Sequence, residues 1–232
     1  MKKIGILALF LGMSWGVSAQ QIAQITMDGT PARITPYTGV EGSPYLFKDW
    51  VDADITLRNG KVREGVPLKV NIYEGELEVL LDGDNRIILN KRTVDAVKVP
   101  RPEGSFDASK GELPALVFKK GFTGIKGVKE DDFVNVLFES DAYTLIRVYH
   151  NTLQEPAKNT YATSPGQIFV VSTSFFLVDR EGKSQGVRLA AKPILKALHP
   201  DHEQEAKRIV KAEGLKLSRE DHVITLLQML SE

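Results

Sequence analysis

Val51-Asp52-Ala53-Asp54-Ile55-Thr56-Leu57-Arg58-Asn59-Gly60 is the stretch that decides the fold class. Every odd position up to Leu57 is apolar and every even one is polar. Successive strand side chains point to opposite faces, so this alternation means one face in a core and one in water. Asn59-Gly60 tolerates positive φ at both positions and predicts a tight type I′ hairpin. A return strand follows, with Val62, Glu64, Val66, Leu68, Val70 and Ile72 in one phase. Gly65 and Pro67 interrupt it and predict a bulge or a sheet edge. Glu74-Gly75-Glu76 turns the chain into a strand of Leu77, Val79 and Leu81. Asp82-Gly83-Asp84-Asn85 turns it again into Ile87 to Leu89, and Val94 to Val99 makes a fifth strand.

Outward from this meander the punctuation continues. Pro100, Pro102, Gly104, Ser105, Ser109 and Gly111 form a loop that could divide two sub-sheets near residues 100–112. Strands are expected at Ala115 to Lys119, Phe133 to Phe138, Ala142 to His150, Ile168 to Val178 and Val187 to Ala190. Asn151 to Gln167 reads as a polar loop. The period then changes. Pro193 suits the first position of a short helix, and Pro200-Asp201 starts another that stops at Gly214. Ser218 and Asp221 have the spacing of a capping box before the helical stripe Val223, Leu226, Leu227, Leu230. The expected fold is mainly β (α+β): antiparallel meander or barrel-like sheets over residues 20–190, then a small helical hairpin in 191–232. Most of these strands, at five to eight residues, fall short of the roughly ten that a membrane barrel needs.

The N-terminus is read as an address. Lys2 and Lys3 precede an apolar stretch from Ile4 to Leu11 and beyond, and Val17-Ser18-Ala19 has the small side chains of a cleavage site. This order predicts a signal peptide of residues 1–19, cleaved after Ala19, and an exported, periplasmic or extracellular protein. No transmembrane segment is expected in the mature chain. Loss of Lys2 and Lys3 turns the balance of 30 basic and 30 acidic side chains into a net charge of −2. A chain with no basic excess is not a nucleic-acid binder by composition. With no Cys, a disulfide framework, a thiolate metal site, a Cys nucleophile and a lipidated N-terminal Cys are all excluded.

Gly42-Ser43-Pro44-Tyr45-Leu46, Trp50, the strand ending in Asn59-Gly60-Lys61, the meander to Tyr73 and the tail from Lys192-Pro193-Ile194-Leu195 resemble a group of exported β-rich proteins of Bacteroidetes-type bacteria. The resemblance implies an envelope location and a β-rich body. It carries over no catalytic residue.

Two groups of side chains are candidates for ligand binding. Tyr45, Phe47 and Trp50 could form an aromatic wall for a glycan or a peptide, or plug one end of a sheet. Tyr143, Arg147 and Tyr149 share a strand phase and could bind an anionic or aromatic ligand, or form a wet face of cross-strand pairs. His199, Asp201, His202 and Glu203 crowd together, but Pro200 breaks the helical spacing and a helix N-terminus capped by Asp201 explains them; no metal or other cofactor is expected. Asp52 with Asp54, as a glycosidase pair, would lie on a wet face. No Ser has a nucleophile-elbow setting, and Gly121, Gly124 and Gly127 lack the residues of a phosphate loop. Two functions stay open: a non-enzymatic envelope protein that binds a protein, peptide or glycan partner, and a periplasmic hydrolase assembled from distant residues such as His150.

Overall fold

The computed structural model describes residues 27–33, 37, 39–81, 85–155 and 166–232. The expected signal peptide, most of the Asp82–Asn85 turn and the loop expected around Pro156 and Pro165 lie outside them. Twelve strands form one sheet: β1 (Gly29–Pro31), β2 (Val40–Glu41), β3 (Val51–Leu57), β4 (Val62–Asn71), β5 (Glu76–Leu81), β6 (Asn85–Leu89), β7 (Val94–Pro100), β8 (Ala115–Lys119), β9 (Val134–Glu139), β10 (Tyr143–Gln154), β11 (Gln167–Asp179) and β12 (Ser184–Val187). Three helices follow: α1 (Ala191–Ala197), α2 (Pro200–Ala212) and α3 (Glu220–Met229). The protein is thus mainly β, with three C-terminal helices. Among the described residues no helix is long and apolar enough to cross a membrane.

The decisive stretch forms β3, and Ala53, Ile55 and Leu57 are buried as its alternation requires. Its hairpin differs from the type I′ expectation. The Gly60 N–H donates to the Leu57 carbonyl at 2.8 Å, the Leu57 N–H donates to the Lys61 carbonyl at 2.8 Å, and Gly60 has a φ of 77°. This is a three-residue loop, with Arg58 and Asn59 in the turn and Gly60 alone in the left-handed region.

The bulge expected at Gly65 is present, and it has a consequence for the return strand. Ala53 faces Val66 but Ile55 faces Arg63, so two residues, Glu64 and Gly65, stand opposite one, Asp54. A one-residue slip exchanges the two faces. Val66, Leu68 and Val70 are therefore buried, while Val62, of the same numerical phase, is 47% exposed. The Asp54 carboxylate accepts the Gly65 N–H at 3.3 Å.

The sheet order is β1-β6-β5-β4-β3-β7-β8-β9-β10-β11-β12. The chain runs as a meander from β3 to β6, then returns so that β7 pairs with the far side of β3. Residues 101–114 join β7 to β8, which pair directly. The segment Val40–Leu46 links β11 to β4. β2 lies parallel to the start of β11, the only parallel pair among the described strands, and Tyr45 bridges Asn71 of β4. The Leu46 N–H donates to the Val70 carbonyl at 2.8 Å, and the Pro44 carbonyl accepts from Ile72 at 3.0 Å. Pairing therefore runs in a ring, β4-β3-β7-β8-β9-β10-β11 and back through residues 40–46.

Ile55, Leu68, Leu77, Val97 and Leu116 fill the core inside the curl of β3 to β8. A second core, Tyr143, Leu145, Leu177, Ile194, Val223, Leu226 and Leu227, glues the helices to β10 and β11. Fully burying each such side chain is worth about 1.5–3 kcal/mol. α2 is capped by His199, whose Nδ1 accepts the Asp201 N–H at 3.4 Å, so Asp201 sits in the first turn rather than at the cap. The capping box at Ser218 does not form. Arg219 precedes α3 and grips Asp221 at 3.0 and 2.6 Å, and the Asp221 N–H donates to the Gly111 carbonyl at 3.1 Å. β12 begins at Ser184, three residues before the expected Val187, and β10 continues to Gln154 through residues expected to be loop.

Candidate functional site

Odd residues of β10 share one face, and the structure gives them three different surroundings. Tyr143 lies beneath α2. It is 2% exposed, its hydroxyl is 2.7 Å from His202 Nδ1 and it accepts the His199 N–H at 3.0 Å. Burial raises its pKa, and the acidic neighbours Asp179 and Asp201 push the same way. Arg147 is also buried and forms an ion pair with Glu220 in the first turn of α3. Arg147 Nη1 donates to the Tyr149 hydroxyl at 3.0 Å, and Arg101 Nη2 reaches the same oxygen at 3.4 Å. The Tyr-Arg-Tyr row is neither a wet face nor one ligand surface: only Tyr149 borders open space.

That space is a cleft of about 330 Å³. It follows from a mismatch in strand pairing. β10 pairs with β11 from Tyr143 to Gln154, but with β9 only from Thr144 to Arg147. Beyond Arg147 the sheet splits on the β9 side. The tip of the β4–β5 hairpin and residues 127–133 border the gap. Val70, Leu77, Phe118, Phe133 and Tyr149 supply apolar lining, and the ring of Tyr149 sits 6.4 Å from that of Phe118.

Two asparagines among the lining residues carry unmet polar groups. Asn135 is 1% exposed; its Nδ2 donates to the Val117 carbonyl at 3.2 Å, and its Oδ1 has no partner among the described residues. Asn151 is 9% exposed; its Nδ2 donates to the Ser43 carbonyl at 2.9 Å, and its Oδ1 is likewise unmet. Buried amide oxygens without partners are uncommon, and each costs about 1–3 kcal/mol. Both lie on residues that line the cleft. Glu74, Glu76, Lys129, Asp132 and His150 complete its polar lining. Burial and the charges of Glu74 and Glu78 raise the Glu76 pKa.

The same hairpin tip has a second groove on its other side, of about 730 Å³, where Tyr37 and Tyr45 meet Glu74, Glu76 and Glu78. The Tyr45 hydroxyl donates to Glu78 at 2.9 Å and that of Tyr37 to Glu74 at 3.0 Å. Burial and the carboxylate acceptor push the Tyr37 pKa up to about 12 and raise that of Tyr45. Trp50 stands beside this groove under two cations, Lys69 at 5.3 Å and Arg86 at 5.4 Å from its ring, and Lys69 also covers Tyr45 at 4.8 Å. Phe47 turns away from both and packs on the core of the curl. Tyr45 and Trp50 are therefore brought together, and Phe47 is not part of their surface.

His150 Nε2 is 3.1 Å from Ser174 Oγ, but among the described residues no carboxylate bonds the imidazole. Among the described residues no group of three or more His, Cys, Asp or Glu converges as a metal site. Asn135 escapes sequence reading because a polar residue inside a strand is unremarkable until its register places it indoors, and Asn151 escapes because it reads as the start of a polar loop. A comparison with protein-family models finds no match, and neither do comparisons with curated proteins and with solved structures.

Proposed function

We propose that this is an exported envelope protein that works by binding, and that its cleft between β9, β10 and the β4–β5 tip holds a polar chain, a peptide or a glycan. One observation carries the reading: two buried asparagine oxygens without partners, on residues that line a cleft with apolar walls. Small sites of this kind combine apolar walls with a few convergent polar groups. Aromatic and aliphatic surface holds the flat parts of a ligand, and the two acceptors select its N–H or O–H groups.

The test uses the full exported chain against a random-peptide display library and a glycan array. One class is expected to bind, and Asn135→Leu to weaken it about tenfold or more, as the loss of one or two hydrogen bonds requires. A folded Asn135→Leu protein that binds as well as the wild type overturns the reading. Export is tested separately: protein recovered from the envelope should begin at Gln20, and a chain that retains Met1 in the cytoplasm removes that half of the proposal.

A further inference from the structure

We infer that the ligand is an extended peptide that adds to the sheet as a strand along β10 from Val148 to Gln154. The inference rests on the binding reading above and narrows it from peptide or glycan to peptide. Its first support is the split in the sheet. β11 accompanies β10 to Gln154 while β9 leaves at Arg147. In antiparallel pairing, alternate residues direct both N–H and C=O to the same side. About every second residue of 148–154 therefore aims a donor and an acceptor toward the β9 side. No turn, loop or side chain among the described residues bonds the backbone of this stretch. The cleft is lined by Val148, Tyr149, His150, Asn151 and Thr152, so the unpaired edge and the cavity coincide.

The second support is periodicity. Donors and acceptors on one strand edge recur about every 7 Å, the repeat of another extended peptide and not of a sugar chain. The third is the pair of unmet oxygens. Asn151 belongs to the unpaired stretch and Asn135 is the last β9 residue paired with β10, so each of the strands that part carries an unmet acceptor on a residue that lines the cleft. An inserted strand supplies amide and side-chain donors to both. The lining favours a neutral or basic peptide, because Glu74, Glu76 and Asp132 outnumber Lys129 in it.

The experiment begins with a consensus octapeptide from the display library. It is synthesised in three forms: unmodified, and N-methylated at alternate residues in either of the two registers. Binding should fall about tenfold or more for one register and stay within about threefold for the other, because only one set of amides faces β10. Hydrogen exchange should show new protection at alternate amides of 148–154. Equal binding by both N-methylated forms overturns the inference, and so does full protection of that edge in the protein alone. A glycan bound in an Asn135-dependent way, with no peptide enriched, overturns the added strand and leaves the binding reading standing. Retention of neither class ends both.

Discussion

Glu76 shows what the hairpin tip costs the fold. Its carboxylate is half-buried between Glu74 and Glu78, and burial first, then their charges, raise its pKa. A raised folded-state pKa means that the native state prefers the protonated acid. The group is then neutral in its effect below its ordinary pKa and destabilising once pH has risen through the folded value. Glu76→Gln should therefore raise the melting temperature at pH 8, with the gain shrinking to nothing by about pH 4. Thermal unfolding across that range checks it, and a gain that persists at pH 4 would point to packing instead. Glu112 works the other way: burial opposes its ionisation, but the Asp107 N–H and the Arg101 guanidinium outweigh that and hold its pKa low. At this scale the sequence shows which residues are polar and in which phase. It does not show that Tyr143, Arg147 and Tyr149, alike in phase, meet a helix, an ion and a cleft.

Local elements were legible where their cause is local. Alternation marks β3, and Gly65 marks the bulge of β4, since both signals lie within a few residues. Elements that depend on distant partners were not. β1 and β2 have three and two residues and exist only because β6 and β11 pair with them. The polar edge strand β12, Ser184-Gln185-Gly186-Val187, is expected only from Val187 onward. The N-terminus of α3 is anchored by the loop at Gly111, 110 residues from Asp221. That contact yields a comparison of glycines. Gly65 and Gly111 have φ of 62° and 69°, but a Cβ at Gly65 meets nothing within 4 Å, whereas one at Gly111 lies 1.9 Å from Asp221 Oδ1. Gly65→Ala should cost about 1–2 kcal/mol, the strain of the left-handed region alone. Gly111→Ala adds a clash worth about 1–3 kcal/mol more, because Asp221 is gripped by Arg219 and cannot yield cheaply. Urea midpoints of the two variants test the order; equal midpoints would mean that the α3 N-terminus is not held by this loop.

At the scale of the whole molecule, a buried ion pair adds to the apolar contact between the ring of strands and the helical layer. Arg147 rises from β10, Glu220 opens α3, and their side chains are 3% and 2% exposed. Glu220 sits in the first helical turn, where a negative charge suits the helix dipole. Its Oε1 nonetheless has no partner, so the pair is not fully satisfied. Such a pair is weak evidence for net stability, yet breaking it from one side is costly. Arg147→Met leaves a carboxylate buried without its cation and should cost about 3–5 kcal/mol. Arg147→Met with Glu220→Leu removes both charges and should recover most of that loss, since apolar replacements of a buried pair are often neutral. A double-mutant cycle in urea measures the difference. The same pair touches the cleft, because Arg147 also donates to the Tyr149 hydroxyl. In the double variant Tyr149 keeps only its longer bond from Arg101, at 3.4 Å. Stability should return while ligand affinity stays reduced, and that separation distinguishes two jobs of one arginine: holding α3 to the sheet and holding Tyr149 at the edge of the cleft. If affinity returns together with stability, Arg147 serves the fold alone and Tyr149 needs no donor from it.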